Sequence, residues 1–199
     1  GVSRPPLWDG GPWETPIGPL FPFDDGLGEL GFDAATDPHQ GEHSIEVQLP
    51  FVRALWPDVR IAVVMVPPTE EAPGAGRRVA ALLDDLGGTS LAIGTTDLTH
   101  YGPRYGFAPR GVGREAHRWV VEENDRGVVD LVAALDVEGT AREARARHAA
   151  CSIGALQAVM AFAAARGATS GSLLHYTTSH DRAPEGEPTA FVGYSGLGV

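Results

Sequence analysis

Two short, nearly continuous apolar runs lie between segments in which apolar residues recur at helical spacing. The runs VRIAVVMV (59–66) and TSLAIG (89–94) predict two strands buried on both faces. Helical spacing predicts helices over 44–56 and 74–88, with Pro50 either kinking the first helix or opening a second one. The segment 113–165 is predicted to be mostly helical, and 171–178 and 190–199 to be closing strands. This alternation indicates a single α/β domain with a central sheet covered by helices.

The first 41 residues differ from the rest, because proline and glycine are dense there. Such turn formers predict an ordered but irregular loop region. Its aromatic residues are expected to pack onto the domain rather than to follow a flexible tail; they are Trp8, Trp13, Phe21 and Phe23.

Composition and charge exclude several classes of function. The net charge of −11 argues against a nucleic-acid partner and against binding to anionic membranes, because the chain has no basic stripe. No apolar run approaches the length of a membrane span. The single cysteine, Cys151, excludes an internal disulfide and predicts a cytoplasmic location. All fifteen basic residues are arginines, so lysine-based covalent catalysis is excluded.

The stretch GTTDLTHYG (94–102) places a carboxylate and an imidazole directly after a predicted strand. In open α/β sheets, ligands bind at the carboxyl ends of strands. Asp97 is three residues before His100 and could orient that ring for catalysis or metal binding. Alternatively, Asp97 caps a short helix and His100 packs beneath it.

Two further stretches carry residues with chemical potential. In GEHSIEVQLPF (41–51), Glu42 and His43 precede a predicted helix and could bind a polar ligand or a metal. Alternatively, Ser44 or Glu42 caps the helix and His43 is solvated, which the residues alone favour. In RHAACSIGALQAV (147–159), His148 and Cys151 are predicted to share one face at a helix start. Cys151 is then either a reactive thiol or ligand, or a small buried apolar side chain. The chain contains no nucleophile-elbow, dinucleotide-binding or P-loop motif.

These stretches together resemble the Memo family, also called the AmmeMemoRadiSam system protein B family. EHSIEVQLPF (42–51) looks like its most distinctive motif, and GTTDLTHYG is similar to a second one, with Thr95 and Thr96 in place of serines. IGALQAV (153–159), LLHYTTS (173–179) and AFVGYSG (190–196) look like its last helix and two closing strands. These matches occur in the family's order and cover about residues 40–199.

The resemblance implies a fold related to the class III extradiol dioxygenases of the LigB type, in which helices sandwich a mixed central sheet. It also implies a pocket that binds iron or copper and a metal-dependent, dioxygenase-like oxidation of a small molecule. Asp97 and His100 match the family's pocket residues, with His100 as the acid/base, and Glu42 and His43 match its acidic-histidine pair. The alternative is a binding module that holds a small-molecule or peptide ligand in the same pocket without turnover.

The metal ligands that the resemblance implies are not all present in this sequence. The family carries two upstream histidines, in Pro-His-Ala-Gly and Pro-Ser-His-His segments, that this chain lacks. The expectation is that the chain is truncated at its N-terminus relative to the family, or is a fragment with a structural role only. The family's third ligand is a cysteine at the position of His148, so His148 or the nearby Cys151 is expected to replace it.

Overall fold

Helices form most of the regular structure in the computed structural model, which describes residues 5–23, 25–35, 37–41 and 43–199. The helices are α1 (Leu49–Leu55), α2 (Ala72–Leu86), α3 (Arg114–Trp119), α4 (Asp125–Ala133), α5 (Val137–Arg147), α6 (Ile153–Ala165) and α7 (Ser179–Arg182). The strands are β1 (Pro6–Leu7), β2 (Phe21–Pro22), β3 (Asp33–Ala34), β4 (Arg60–Ile61), β5 (His100–Tyr101), β6 (Ser172–Thr178) and β7 (Phe191–Gly198). The predicted α/β class is therefore confirmed. None of the described helices combines the length and apolar character that crossing a bilayer requires.

The strands of the described residues form three small sheets that include both parallel and antiparallel pairs. Strand β1 pairs with β3, and β2 with β4, both in parallel. The largest sheet has the order β5-β7-β6 and is antiparallel, with His100 opposite Val192 and Thr178 opposite Gly193. Strand β7 is therefore the central strand that connects the short β5 to the long β6.

The main apolar core lies around α6, which carries apolar residues on all sides and is therefore buried. Met160 is fully buried in it, together with Val128 of α4 and Ala144 of α5. Helix α2 packs closely on α6 because Gly76 faces the backbone of Ala158 without a side chain between them. The core therefore joins α2, which precedes the GTTDLTHYG segment in the chain, to helices that follow it.

The sequence around Pro50 forms two short helices rather than one kinked helix. A 3-10 turn covers Glu46–Gln48, and α1 follows with Pro50 in its first turn. Proline is favoured there because its missing N–H has no partner within the helix in any case. Of the two alternatives for Pro50, the structure therefore shows the second.

The apolar run 59–66 is only partly a strand. Arg60 and Ile61 form β4, and the chain then stays beside β1, where Trp8 N donates to Val63 O (2.9 Å) and Met65 N donates to Pro6 O (3.0 Å). Val63 is buried in this contact. Because its neighbours are two-residue strands, the run has few backbone partners along its length.

The prediction that 89–94 is a strand buried on both faces is wrong. The segment forms no strand, and Leu91 and Ile93 are 67% and 56% exposed. Gly94 packs against Val159 and the backbone of Ala155 in α6, which covers one end of the segment. No described strand pairs with the segment. A strand is buried on both faces only when other strands and helices pack around it, and an apolar run does not by itself specify those elements.

The described parts of residues 5–41 are folded into short strands and 3-10 turns, as the loop prediction requires. Trp8 and Trp13 pack against each other with ring centroids 4.6 Å apart and planes tilted by 45°, and the His39 ring lies edge-on to Trp8 at 5.7 Å. Phe23 packs against the cluster around Phe32. The expectation for Phe21 is wrong, because its side chain is exposed on β2, where alternate residues face solvent.

Candidate functional site

Strand β5 determines where the side chains of GTTDLTHYG point. The backbone pairs with β7 from Leu98 onward, since Leu98 N donates to Gly193 O and Gly193 N donates to Thr99 O, both at 3.0 Å. Tyr101 is fully buried and stacks on Phe191 at 5.3 Å. Because successive side chains in a strand point to opposite faces, His100 points away from this core.

Asp97 and His100 form a direct, solvent-accessible pair. His100 Nε2 lies 3.0 Å from Asp97 Oδ2, and the side chains of His100 and Asp97 are 39% and 44% exposed. A carboxylate that accepts the Nε2 proton orients the ring and leaves Nδ1 available to a ligand. The structure therefore shows the Asp97–His100 contact that the first alternative for this motif required.

Two tyrosines lie beside the Asp97–His100 pair. The ring of Tyr105, in the 3-10 turn Pro103–Tyr105, lies 5.1 Å from the His100 ring. The pKa of Tyr194, on β7, is raised by burial, and further by the negative charge of Asp97 and by Tyr105. The Tyr194 phenol therefore stays protonated at neutral pH and remains a hydrogen-bond donor near Asp97.

Cys151 is connected to the same segment through Thr96. Cys151 N donates to Asp97 O (3.2 Å), and Ser152 N donates to Thr96 Oγ1 (2.8 Å). The Thr96 hydroxyl lies 3.5 Å from Cys151 Sγ, and Cys151 is exposed. The thiol is therefore an accessible group next to the Asp97 backbone, which contradicts the buried alternative for this cysteine.

A buried carboxyl group, that of Asp125, holds the backbone next to His100 through hydrogen bonds. Asp125, at the start of α4, accepts hydrogen bonds from the Thr99 N–H (3.1 Å), the Thr99 hydroxyl and the Tyr176 hydroxyl (2.6 Å). Burial raises the pKa of Asp125, although these three hydrogen bonds act in the opposite direction. Since Thr99 directly precedes His100, Asp125 positions the strand that carries the pair.

His148 and Cys151 do not share a helix face, so that prediction is wrong. His148 has a left-handed backbone (φ 51°) and ends α5, whereas α6 begins only at Ile153. The chain changes direction between the two helices, and the His148 ring packs 5.2 Å from Phe107. A role for either residue in metal binding stays a prediction.

The second predicted pair, Glu42 and His43, is described only in part. Glu42 lies outside the described residues. His43 is exposed, and its carbonyl accepts a hydrogen bond from Val47 N (3.2 Å) at the start of the turn that leads into α1. The part of Glu42 and His43 in the pocket that the resemblance implies stays a prediction.

The implied iron or copper site requires donor side chains that lie close together. Among the described residues, no group of three His, Cys, Asp or Glu side chains has the spacing to hold a metal ion. Stable sites for such metals generally use at least three protein ligands. The donor set in the described part of the chain therefore does not fit the metal.

Several residues of the site are not evident from the motif alone. Tyr105 follows the motif closely, and Thr96 belongs to it, so both could have been included by proximity in the sequence. Asp125 and Tyr194 lie 28 and 97 residues beyond Asp97. Only the pairing of β5 with β7 and the packing of α4 bring these two residues to the site.

Comparison with known proteins gives one consistent result. The family model described as "Memo-like protein" matches residues 4–198. The chain is 33% identical to a MEMO1 family protein of Pyrococcus furiosus, over 99% of this chain and 71% of the relative. It is 31% identical to MEMO1 family proteins of Thermococcus onnurineus and Methanothermobacter thermautotrophicus, over 99% of this chain and 72% and 67% of those relatives.

Proposed function

Because the chain belongs to the Memo-like family, we propose that it binds a small polar molecule at Asp97 and His100 and exchanges a proton with it through His100. The observation that carries the proposal is the 3.0 Å contact between His100 Nε2 and Asp97 Oδ2 in a partly exposed position. Because the pair is partly exposed, a ligand in solution can reach it.

The surrounding groups fit a proton-transfer role. Asp97 stabilises the imidazolium that forms when His100 accepts a proton at Nδ1, and it holds the ring in one orientation. The protonated phenol of Tyr194 supplies a donor for an oxygen atom of the ligand, and the Tyr105 ring supplies an apolar surface beside His100. The ligand class that matches these groups is a phenol or catechol, with a flat ring and ionisable hydroxyl groups.

The proposal is tested by titrating catechol into the purified protein and measuring binding by calorimetry. We expect saturable binding to the wild type and at least about a tenfold weaker affinity for His100→Ala, since a charge-assisted hydrogen bond is lost. His175→Ala is the matched control, because His175 is an exposed histidine on β6. Equal affinity of the His100→Ala and His175→Ala variants for catechol would refute the proposal.

Oxygen consumption with catechol distinguishes an enzyme from a binding module. Oxygen consumption with catechol would support oxidation in the manner that the family resemblance implies. Saturable binding without oxygen consumption would favour the binding module. Iron or copper dependence stays a prediction, which metal analysis of the purified protein addresses.

A further inference from the structure

A hollow lies beside the candidate site and takes no part in the function proposed above. It is bounded by the loop after β5, by the helical turn before α4 and by the end of α5, and it has a volume of about 320 Å³. That volume lies at the lower end of the range of small-molecule sites. The residues that matter for its chemistry are Phe107, Arg110, Trp119, Glu123, Asn124 and Arg147.

Asn124, one of the residues that line the hollow, carries a buried hydrogen-bond acceptor without a partner. Asn124 is fully buried, and its amide nitrogen donates to Thr99 Oγ1 (2.8 Å) and to Arg147 O (3.2 Å). The Thr99 hydroxyl donates its own proton to Asp125, and a carbonyl can only accept, so both groups require the amide nitrogen of Asn124. Its Oδ1 atom is thereby fixed as the free acceptor, and it has no hydrogen-bond partner in the structure.

The backbone around Asn124 is unusual. The turn Val120–Asn124, between α3 and α4, is π-helical. Such turns are rare, and they occur frequently at functional sites because the extra residue changes the direction of the side chains. Here Glu123 and Asn124 line the hollow while the next residue, Asp125, points to the core.

Other residues that line the hollow are cationic and aromatic. The Arg110 guanidinium lies over the Trp119 ring at 5.5 Å, with Phe107 also in the wall. Arg147 forms an ion pair with Glu143 (2.7 Å), so Arg110 is the arginine better placed to pair with an anion. Glu123 adds an exposed carboxylate that accepts hydrogen bonds but repels a second anion.

From these groups we infer that the hollow binds a nucleoside monophosphate whose base carries an amino group. The amino group donates to Asn124 Oδ1, and the flat base packs against Trp119 and Phe107. The phosphate pairs with the Arg110 guanidinium, whose planar fork suits phosphate oxygens. The ribose hydroxyls have Glu123 as an acceptor. A simple inorganic anion fits poorly, because it fills little of the volume and gives Asn124 no donor.

The test uses three probes that differ by one group each: AMP, adenosine and purine riboside monophosphate. Calorimetry should show AMP binding, with adenosine weaker by about tenfold or more because the contact with Arg110 is lost. The riboside monophosphate, which lacks the amino group, should also bind at least about tenfold more weakly, because Asn124 Oδ1 then stays unsatisfied. The Trp119 indole resonance should shift with all three probes, but at about tenfold lower concentration for AMP than for either of the other two.

Variants locate the binding. Arg110→Gln should weaken AMP binding by about tenfold, whereas Arg118→Gln, an exposed arginine on α3, should not change it. His100→Ala should keep full AMP affinity, which separates this site from the proposed proton-transfer site. Absence of AMP binding at millimolar concentration, or equal affinity of the Arg110→Gln and Arg118→Gln variants, would overturn the inference.

Discussion

Replacing Asp125 tests whether the candidate site depends on a buried carboxyl group. Asp125 is fully buried at the start of α4. It is the acceptor for the N–H and the hydroxyl of Thr99 and for the hydroxyl of Tyr176. The Asp125→Ala change removes this acceptor and leaves donors without partners next to His100.

The magnitude follows from the number of donors left without a partner. The Thr99 N–H has no alternative acceptor within its strand, and each buried, unsatisfied donor costs about 1–3 kcal/mol. With the Thr99 and Tyr176 hydroxyls partly able to rotate, we expect Asp125→Ala to lower the free energy of unfolding by about 3 kcal/mol. Asp125→Asn should cost only about 1 kcal/mol, because its Oδ1 still accepts from Thr99 and its amide can donate to Tyr176.

The same carboxyl group predicts a pH dependence of stability. Its pKa in the folded protein is raised above the ordinary value of 3.8 by burial, so the folded state holds the proton more tightly than the unfolded state. The stabilising contribution is therefore complete below pH 3.8 and is lost as the pH rises through the raised pKa. In Asp125→Asn this dependence is absent, so its stability deficit relative to the wild type should shrink as the pH rises.

Urea unfolding monitored by circular dichroism, at several pH values between 4 and 8, measures both effects. Asp130→Ala is the matched control on the same helix, because Asp130 forms only an exposed ion pair with Arg126, worth about 0.3–0.5 kcal/mol. If Asp125→Ala costs no more than Asp130→Ala, Asp125 does not support the β5 strand. If the difference between the wild type and Asp125→Asn is independent of pH, the raised pKa is wrong.

Two further predictions concern the packing around α6. Gly76→Ala should destabilise the protein by about 1–3 kcal/mol in urea unfolding, because a Cβ atom there meets the backbone of Ala158. Gly74→Ala is the control: its Cβ atom meets only the ends of flexible side chains, so the change should be neutral or slightly stabilising. Equal costs for both variants would contradict the close contact between α2 and α6. Met160→Ala should lower the melting temperature strongly, at a cost of about 2–5 kcal/mol, because Met160 is fully buried. Leu174→Ala should change stability by less than about 0.5 kcal/mol, because Leu174 is 73% exposed, and a comparable loss in both variants would refute the assignment of the core.

Periodic patterns predicted the helices well, because a helix satisfies its own backbone. The segment 74–88 forms α2 within two residues at each end, and the proline in the first turn of α1 explains the break at Pro50. The same reasoning failed for 89–94, since strands need neighbours that the segment's own residues do not specify. The motif likewise predicted the Asp97–His100 contact, because three residues of chain bring these two side chains within reach.

The sequence alone determined the α/β class, the family and the pairing of Asp97 with His100, because each depends on residues close together in the chain or on matched motifs. The tertiary structure decided what surrounds that pair. Tyr194 and the supporting Asp125 reach it only through the pairing of β5 with β7 and the packing of α4. It also kept His148 and Cys151 off a common helix face, because α5 ends at Arg147, His148 has a left-handed backbone, and α6 begins only at Ile153, which spacing does not reveal.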